Sequence, residues 1–265
     1  MARAPKANLQ TYAALHAAKT GKASDKWSSY LPAYDRLFAP HRRAGVNILE
    51  IGVQNGGSLE VLGKYFADAG VIIGCDIDPL CANLIYDDPR LHVVVASITS
   101  QSAYDQITAL APEFDIIIDD GSHTSADIGN AFINYFPLLR PGGVFIIEDT
   151  HTLYRSNYGG GLLDPASAQQ FFKALTDIIN YEFWMSERSV EEMMRGYFQD
   201  GQPPAFIGEG WVDRVEFSNS MIVIHKALRA GHAKLGERVV SGMEFAVDVR
   251  AKTGASGFES LDIAS

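Results

Sequence analysis

Short apolar runs alternate with amphipathic segments along the middle of the chain. The runs occupy residues 47–52, 71–76, 91–96, 114–119 and 144–148. They are rich in Val and Ile, and such runs are typical of parallel strands that are buried on both faces. The amphipathic segments between them predict helices at residues 58–69, 79–86, 102–111 and 125–138. Repeated β-α units of this length predict a parallel sheet with right-handed crossovers and helices on both faces.

The regions before and after this alternation have different patterns. Residues 1–45 precede the first strand and predict an N-terminal helical cap. Residues 150–210 follow the fifth strand and are long for a connection inside a compact domain, so we expect a lid or a substrate-recognition insert there. Helical patterns in these two regions cover residues 9–17, 29–38, 166–180 and 189–198.

Two more strands are predicted at residues 214–217 and 221–225, and the polar Ser218-Asn-Ser220 between them indicates a hairpin. The chain is therefore predicted to be an α/β protein with a Rossmann-like, seven-stranded, mostly parallel sheet that ends in an antiparallel hairpin. This domain is expected to span residues 46–226. Residues 227–265 have weaker patterns and are expected to form a partly mobile C-terminal extension.

Composition narrows the classes of partner. The chain has 265 residues and a formal net charge of −10, which disfavours a nucleic-acid partner. Its two cysteines, Cys75 and Cys81, fit neither a disulfide framework nor a paired zinc motif. No apolar run approaches the length of a membrane span, so we expect a cytoplasmic location and no membrane partner. The N-terminal helices and the residues after Lys226 leave self-association possible.

Carboxylates follow two of the predicted strands. The run 114–119 continues into Asp120-Gly-Ser-His123, and the run 144–148 ends in Glu148-Asp149. If these strands are neighbours in a parallel sheet, their acidic ends lie side by side. Like charges at one edge repel one another unless a cation or a polar ligand is present. We therefore expect a divalent metal at this edge.

A glycine-containing loop and an acidic residue follow the first two strands. The loop Glu50-Ile-Gly-Val-Gln-Asn-Gly-Gly-Ser58 does not have the glycine spacing of the nicotinamide fingerprint. Asp76 ends the second strand, where a carboxylate can accept hydrogen bonds from both ribose hydroxyls. The alternative role for Asp76 is a helix cap before Pro79. Together the loop and the acid indicate a cofactor that contains a nucleoside.

These residues resemble the class I S-adenosylmethionine-dependent methyltransferases, and within them the magnesium-dependent sugar O-methyltransferases. Relatives of that group include proteins labelled cephalosporin hydroxylase. The similarity extends over about residues 19–161. The residues that carry it are Glu50-Ile-Gly52, Asp76, Asp120-Gly-Ser-His123, Pro141-Gly-Gly143 and Ile147-Glu-Asp149.

The resemblance implies a role for each matching residue. It makes His123 the general base that takes a proton from the acceptor hydroxyl, with His151 as the competing candidate. The adenine is expected near Ser97, although many relatives carry an aspartate there. The residues expected to hold Mg²⁺ are Asp120, Glu148 and Asp149, and those expected at S-adenosylmethionine are Glu50, Gly52, Asn55, Asp76, Ser97 and Asp119.

The chemistry of these residue types agrees with that assignment. Magnesium prefers oxygen ligands and commonly keeps open positions for water or substrate. A bound cation lowers the pKa of a hydroxyl, and a histidine can take up the proton at neutral pH. The expected acceptor is a sugar hydroxyl of a glycosylated natural product or a polysaccharide precursor. The alternatives are another Rossmann-like enzyme, such as a nicotinamide oxidoreductase or a hydroxylase-associated protein, and a non-catalytic cofactor-binding module.

Overall fold

A computed structural model describes residues 10–43, 45–237, 239, 241 and 246. The chain divides into two units, residues 1–232 and residues 233–265, and every helix and strand named below belongs to the first unit. Most of the C-terminal extension expected at residues 227–265 lies outside the described residues, as does the start of the first predicted helix.

Seven strands form one sheet in the order β3-β2-β1-β4-β5-β7-β6. The strands β1 to β5 pair in parallel, and β7 pairs antiparallel with both β5 and β6, so the predicted mixed sheet and hairpin are confirmed. The fifth strand begins earlier than the sequence pattern predicts, ahead of a register shift opposite Phe114 and Ile116. The strand bounds are β1 Asn47–Ile51, β2 Val71–Asp76, β3 Leu91–Val95, β4 Phe114–Asp119, β5 Leu139–Ile147, β6 Val212–Ser218 and β7 Met221–Lys226.

Eight α-helices surround the sheet in the described part of the chain. The segment predicted as a helix at 79–86 is instead a short 3₁₀ turn, Pro79–Asn83, and Asp78 caps it by accepting a hydrogen bond from the backbone N–H of Leu80. The helix bounds are α1 Tyr12–Ala17, α2 Tyr30–Phe38, α3 Gly57–Tyr65, α4 Gln101–Leu110, α5 Ser125–Tyr135, α6 Ala168–Ile179, α7 Val190–Met194 and α8 Ala205–Gly208.

The N-terminal helices pack into the core on one face of the sheet. Tyr12 of α1 and Tyr34 and Phe38 of α2 are almost completely buried against Tyr65 and Phe66. Burying an aromatic side chain of this kind is worth about 1.5–3 kcal/mol relative to leaving it in water. Helices α1 and α2 are therefore firmly attached to the sheet.

Helices of the segment 150–210 complete the core on the opposite face. Phe171 and Phe172 of α6 stack edge-on against Phe132 of α5, and Met194 of α7 is fully buried in the same cluster. The exposed large apolar side chains of this segment lie in short stretches before and after α6, at Tyr154, Leu162, Leu163, Phe183 and Met185. Most of the predicted insert is thus part of the folded core, because these buried contacts hold α6 and α7 against α5. None of the helices in the described ranges is long and apolar enough to cross a membrane.

Candidate active site

A cavity of 560 Å³ opens at the carboxyl ends of β1, β2, β4 and β5. The sheet order places β2 on one side of β1 and β4 on the other, and ligands of open α/β sheets bind at such a switch point. The cavity is lined by residues at the carboxyl ends of all five parallel strands, β1 to β5, and by part of the N-terminal segment. These residues include Lys26, Trp27, Gly52, Gln54, Asp76, Ser97, Asp119, Asp120, His123, Glu148 and Asp149.

The loop after β1 is shaped by Gly52 and Asp76. Gly52 has a φ of 86°, and a Cβ added there would lie 2.0 Å from the backbone oxygen of Asp120, so only glycine fits. The Asp76 carboxylate accepts backbone hydrogen bonds from Val53 at 2.7 Å and Gln54 at 2.9 Å, and it also bonds the N–H of Asp78. The cap of the following turn belongs to Asp78, which leaves Asp76 to hold the loop against the end of β2.

The ionisation of Asp76 follows from these contacts. Burial by itself would raise the pKa of Asp76, but the three backbone hydrogen bonds outweigh it and lower that pKa below its ordinary value. The carboxylate is therefore charged at neutral pH and can accept further hydrogen bonds from a ligand in the cavity.

Asp119 is a carboxylate of the cavity with one buried oxygen that has no hydrogen-bond partner in the described part of the chain. Its side chain is buried; Oδ1 accepts a hydrogen bond from Gly121 at 3.3 Å, and Oδ2 has no hydrogen-bond partner among the described residues. Burial raises the pKa of Asp119 to about 7. An unpartnered buried acceptor is costly in a protein, so this oxygen is suited to a ligand that brings a donor.

The other residues expected at the cofactor have different positions. Ser97 lines the cavity, and its hydroxyl lies 3.0 Å from that of Thr99. Glu50 and Asn55 do not belong to the described cavity wall. Glu50 is buried behind it, with Oε2 accepting a hydrogen bond from Ser58 at 2.6 Å, whereas Asn55 is exposed to solvent.

Three side chains converge on the outer part of the cavity. Ligand atoms of Asp120, His123 and Asp149 all lie within 4.8 Å of one another. His123 Nε2 is 3.6 Å from Asp149 Oδ2 and 3.9 Å from Asp120 Oδ1. Two carboxylates and an imidazole form a donor set that fits a divalent cation.

The backbone at two of these residues is in the left-handed region. His123 has a φ of 56° and Asp149 a φ of 53°, a region that only a few per cent of non-glycine residues adopt, with Asn, Asp and His the most frequent among them. Thr152 holds the first turn by donating to the backbone oxygen of His123 at 2.9 Å, and Tyr30 donates to Asp149 Oδ1 at 2.7 Å. Such strained residues cluster at functional sites, where surrounding contacts maintain them.

Glu148 lies inward of these three side chains. Its Oε1 accepts hydrogen bonds from Lys26 Nζ at 2.6 Å and from the hydroxyl of Tyr34. Burial raises the pKa of Glu148, and the ammonium of Lys26 opposes that rise. The family resemblance makes Glu148 a metal ligand beside Asp120 and Asp149; Glu148 lines the same cavity, and its role at a metal stays a prediction.

Lys26 is the functional residue that sequence reasoning missed. Its side chain is only 2% exposed, and burial alone would lower its pKa. Glu148, Asp120 and Glu50 together hold the pKa of Lys26 well above its ordinary range, so it remains a cation. Lys26 lies within the stretch that carries the family resemblance, but a lysine in a polar segment gives no local sign that it will be buried.

The second candidate base, His151, lies at the edge of this arrangement. Its Nδ1 is 2.6 Å from the hydroxyl of Ser220, and its ring meets the ring of Trp27 edge-on. Unlike His123, it is not among the described residues that line the cavity. The geometry therefore favours His123 as the residue that faces a bound acceptor.

The sheet order and the site at its switch point define a Rossmann-like methyltransferase fold. Residues 49–150 match the family described as a methyltransferase domain.

Two of the curated relatives are enzymes from the bacteria Streptomyces olivaceus and Micromonospora griseorubida. The chain is 31% identical over 219 residues to 8-demethyl-8-alpha-L-rhamnosyl tetracenomycin-C 2'-O-methyltransferase of Streptomyces olivaceus, which covers 79% of this chain and 53% of the relative. It is 35% identical over 164 residues to mycinamicin VI 2''-O-methyltransferase of Micromonospora griseorubida, covering 58% of this chain and 40% of the relative. The chain thus spans about half the length of the curated relatives it matches.

Solved structures of the methyltransferase MycE from the mycinamycin biosynthetic pathway are also similar. A complex with Mg and SAH has a TM-score of 0.65 and 26% identity, covering 86% of this chain and 55% of that one. A complex that also contains mycinamycin VI has a TM-score of 0.61 and 25% identity, covering 80% of this chain and 52% of that one.

Proposed function

We propose that this chain transfers a methyl group from S-adenosylmethionine to a hydroxyl of a sugar, with Mg²⁺ bound at the acidic edge. The observation that carries the proposal is the single cavity that joins the Gly52 and Asp76 loop to Asp120, His123 and Asp149. The names of the curated relatives support a sugar of a glycosylated natural product as acceptor, and the MycE complexes support the donor and the metal.

The donor has a natural place at the inner wall. Asp76 would accept the ribose hydroxyls, Gly52 would let the ligand approach the backbone, and Ser97 would lie near the adenine. The unpartnered oxygen of Asp119 would accept a hydrogen bond from the ammonium of the methionine portion, where opposite charges attract. Glu50 would act indirectly, by holding Ser58 at the start of α3. The surroundings of Asn55 do not assign that residue a contact with the donor.

The outer part of the cavity would bind the metal and the acceptor. Asp120 and Asp149 would hold the cation, which would supply positive charge that lowers the pKa of an acceptor hydroxyl. His123 Nε2 faces the same space and would take the hydroxyl proton. The acceptor oxygen would then bond to the methyl carbon while the carbon–sulfur bond of the donor would break, leaving S-adenosylhomocysteine. The protein contributes mainly orientation and charge stabilisation.

Methyl transfer to a panel of glycosylated acceptors, measured with EDTA and then with added Mg²⁺, tests this proposal. We expect EDTA to abolish turnover and Mg²⁺ to restore it. His123→Ala should lower turnover by about 10²–10⁴-fold, as expected for a general base, and keep its affinity for S-adenosylhomocysteine. His151→Ala is the matched control and should stay near the wild type.

Three results would contradict the proposal. Full turnover in EDTA would show that the reaction does not need the metal. Loss of turnover in His151→Ala with none in His123→Ala would move the base to His151. Calorimetric binding of NADH but not of S-adenosylhomocysteine would place the chain among other Rossmann-like enzymes. The expected cytoplasmic location and the possible self-association stay predictions.

A further inference from the structure

One aromatic side chain stands in solvent on the wall of the cavity. Trp27 is 60% exposed, and it lines the same cavity as Asp120, His123 and Asp149. Among the described residues of that wall, it is the one Phe, Tyr or Trp. A single exposed apolar side chain on an open surface needs no explanation, but ligand pockets are typically lined by aromatic side chains beside a few polar groups. The position of Trp27 therefore indicates a ligand-binding surface.

The backbone around Trp27 is held by its neighbours. Lys26, the residue before it, has a side chain that is 2% exposed. The backbone oxygen of Trp27 accepts a hydrogen bond from the N–H of Tyr30 at 2.9 Å, and Tyr30 begins α2 with its side chain buried. The indole is thus presented from a fixed support, which reduces the entropy lost when a ligand binds to it.

The sheet order decides which ligand the indole can reach. Asp76 and Ser97 lie at the carboxyl ends of β2 and β3, on one flank of the cavity. Trp27 lies on the other flank, because its ring meets that of His151 edge-on with the centroids 6.2 Å apart, and His151 follows β5. The strands β1 and β4 separate the two flanks. An adenosine held by Asp76 and Ser97 would therefore lie away from the indole, which leaves Trp27 for the acceptor.

The indole has a chemistry that suits a sugar ring. The face of an aromatic ring carries partial negative charge, and the carbon-bound hydrogens on the face of a pyranose carry partial positive charge because oxygens flank their carbons. An edge-on contact with His151 covers at most one of the two faces of the indole. A pyranose on the other face would keep its hydroxyls at the rim, where they can reach the carboxylates and the imidazole of the same cavity.

We propose that Trp27 is an acceptor-binding residue, whose indole face stacks on the pyranose ring that carries the reacting hydroxyl. This inference rests on the proposed function and deepens it. Stacking fixes the plane of the sugar, so that a hydroxyl at the rim of the ring is directed toward His123 and away from solvent. It also favours a cyclic sugar over an open-chain polyol with the same hydroxyls, because the polyol has no ring face to present.

Steady-state kinetics of Trp27→Ala tests the inference with the glycosides of the acceptor panel, methyl α-L-rhamnopyranoside among them. We expect kcat/KM for a methylated glycoside to fall at least about tenfold, or about 1.4 kcal/mol, with most of the change in KM. The affinity for S-adenosylhomocysteine should stay within about threefold of the wild type. Phe183→Ala is the matched control, since Phe183 is also an exposed aromatic residue but does not line the described cavity.

Two conservative variants separate stacking from apolar bulk. Trp27→Phe keeps an aromatic face and should retain most of the kcat/KM, whereas Trp27→Leu keeps apolar volume without that face and should resemble Trp27→Ala. Equal recovery in the two variants would overturn stacking. The high exposure of Trp27 means that these variants should keep the melting temperature of the wild type.

Saturation-transfer NMR gives a second measurement that needs no turnover. With S-adenosylhomocysteine and Mg²⁺ present, irradiation of the aromatic protons of the protein should saturate the ring hydrogens of methyl α-L-rhamnopyranoside. Trp27→Ala should lose this transfer, and the open-chain polyol rhamnitol should receive little of it from the wild type. Equal transfer to the two compounds would contradict a ring-stacking site.

The outcomes separate this inference from the proposed function. Methyl transfer with the same kcat/KM in Trp27→Ala and the wild type overturns the role of Trp27 and leaves the reaction standing. An equal loss of S-adenosylhomocysteine affinity in Trp27→Ala would assign the indole to the donor and would also overturn the inference. Glycoside binding that depends on Trp27 but leads to no methyl transfer supports the sugar site and refutes the proposed reaction. A wild type that binds S-adenosylhomocysteine but neither binds nor methylates any glycoside refutes both.

Discussion

Asp119→Asn offers a quantitative test of the ionisation of the buried carboxyl in the cavity. In the folded protein, burial is the largest cause that raises the pKa of Asp119; the charges of Asp120 and Asp127 add to it, and the hydrogen bond from Gly121 opposes it. The pKa rises from the ordinary value of 3.8 to about 7. The folded state therefore binds this proton more tightly than the unfolded chain does.

The sign of the effect follows from linkage. Below about pH 4 both states are protonated, and Asp119 costs the protein nothing. As the pH rises from about 4 to 7, the unfolded chain releases the proton first, so the residue becomes increasingly destabilising, and above pH 7 its cost is constant. A difference of about 3 pH units at about 1.4 kcal/mol each gives about 4 kcal/mol.

Urea unfolding between pH 4 and pH 8, in EDTA and without the methyl donor, measures this contribution of Asp119 to the free energy of unfolding. The stability of Asp119→Asn should rise by about 4 kcal/mol relative to the wild type across that range. The new amide must also find hydrogen-bond partners, but that cost is the same at every pH and drops out of the comparison. Asp105→Asn, exposed on α4, controls for a generic change of surface charge, which is usually worth less than about 0.5 kcal/mol. A difference between variant and wild type that stays constant with pH would refute the reasoning.

Two other substitutions separate the site from the scaffold. Gly52→Ala brings a Cβ to 2.0 Å from the backbone oxygen of Asp120, so it should abolish binding of S-adenosylhomocysteine in a calorimetric titration. In the control variant Gly129→Ala the added Cβ meets nothing within 4 Å, so this variant should bind as the wild type does. Equal binding by both variants would contradict the argument. Asp115→Asn removes the charge of a buried carboxylate at the far end of β4, which accepts hydrogen bonds from Arg43 at 2.6 Å and Arg140 at 2.8 Å. Urea unfolding should show that the free energy of unfolding falls by about 2 kcal/mol, while the affinity for S-adenosylhomocysteine stays the same. A lowered affinity would show that the two ends of the strand are coupled.

The sheet and the carboxylate edge could be predicted because their determinants are local. A buried parallel strand needs a short run of apolar residues, and its carboxyl end lies at the ligand edge whatever the details of packing. Asp76, Asp120, His123 and Asp149 follow such runs, and the structure places all four along one cavity. The same locality explains why the hairpin of β6 and β7 was predictable from its polar turn.

The directions in which individual side chains point were harder to predict from the sequence. Glu148 and Asp149 follow the last residue of β5, so the alternation of side chains along the strand does not determine where these two side chains point. The left-handed φ of 53° at Asp149 also turns the chain at this point, and the apolar pattern of β5 does not encode that conformation. Neither feature can be read from a Glu-Asp pair alone.

The N-terminal segment shows why the rest of the site needed the structure. Lys26 meets Asp120 and Glu148 across 94 and 122 residues of sequence, and Tyr30 meets Asp149 across 119. No periodicity links positions so far apart. Only the packing of α1 and α2 onto the sheet brings these donors to the carboxylates.

The N-terminal segment therefore belongs to the candidate site and is more than a cap on the fold. The residues that match the methyltransferase-domain family, 49–150, contain Asp120, Glu148 and Asp149 but none of the N-terminal donors that engage them. Without Lys26, the buried Glu148 would lose its ionic partner, and breaking a buried pair in this way costs about 3–5 kcal/mol. Lys26 and Tyr34 hold Glu148 Oε1, and Lys26 also holds Asp120 Oδ2, whereas Asp120 Oδ1 and Asp149 Oδ2 face His123 Nε2. The arrangement of the acidic edge is thus set jointly by the strand ends and by a segment that precedes the first strand.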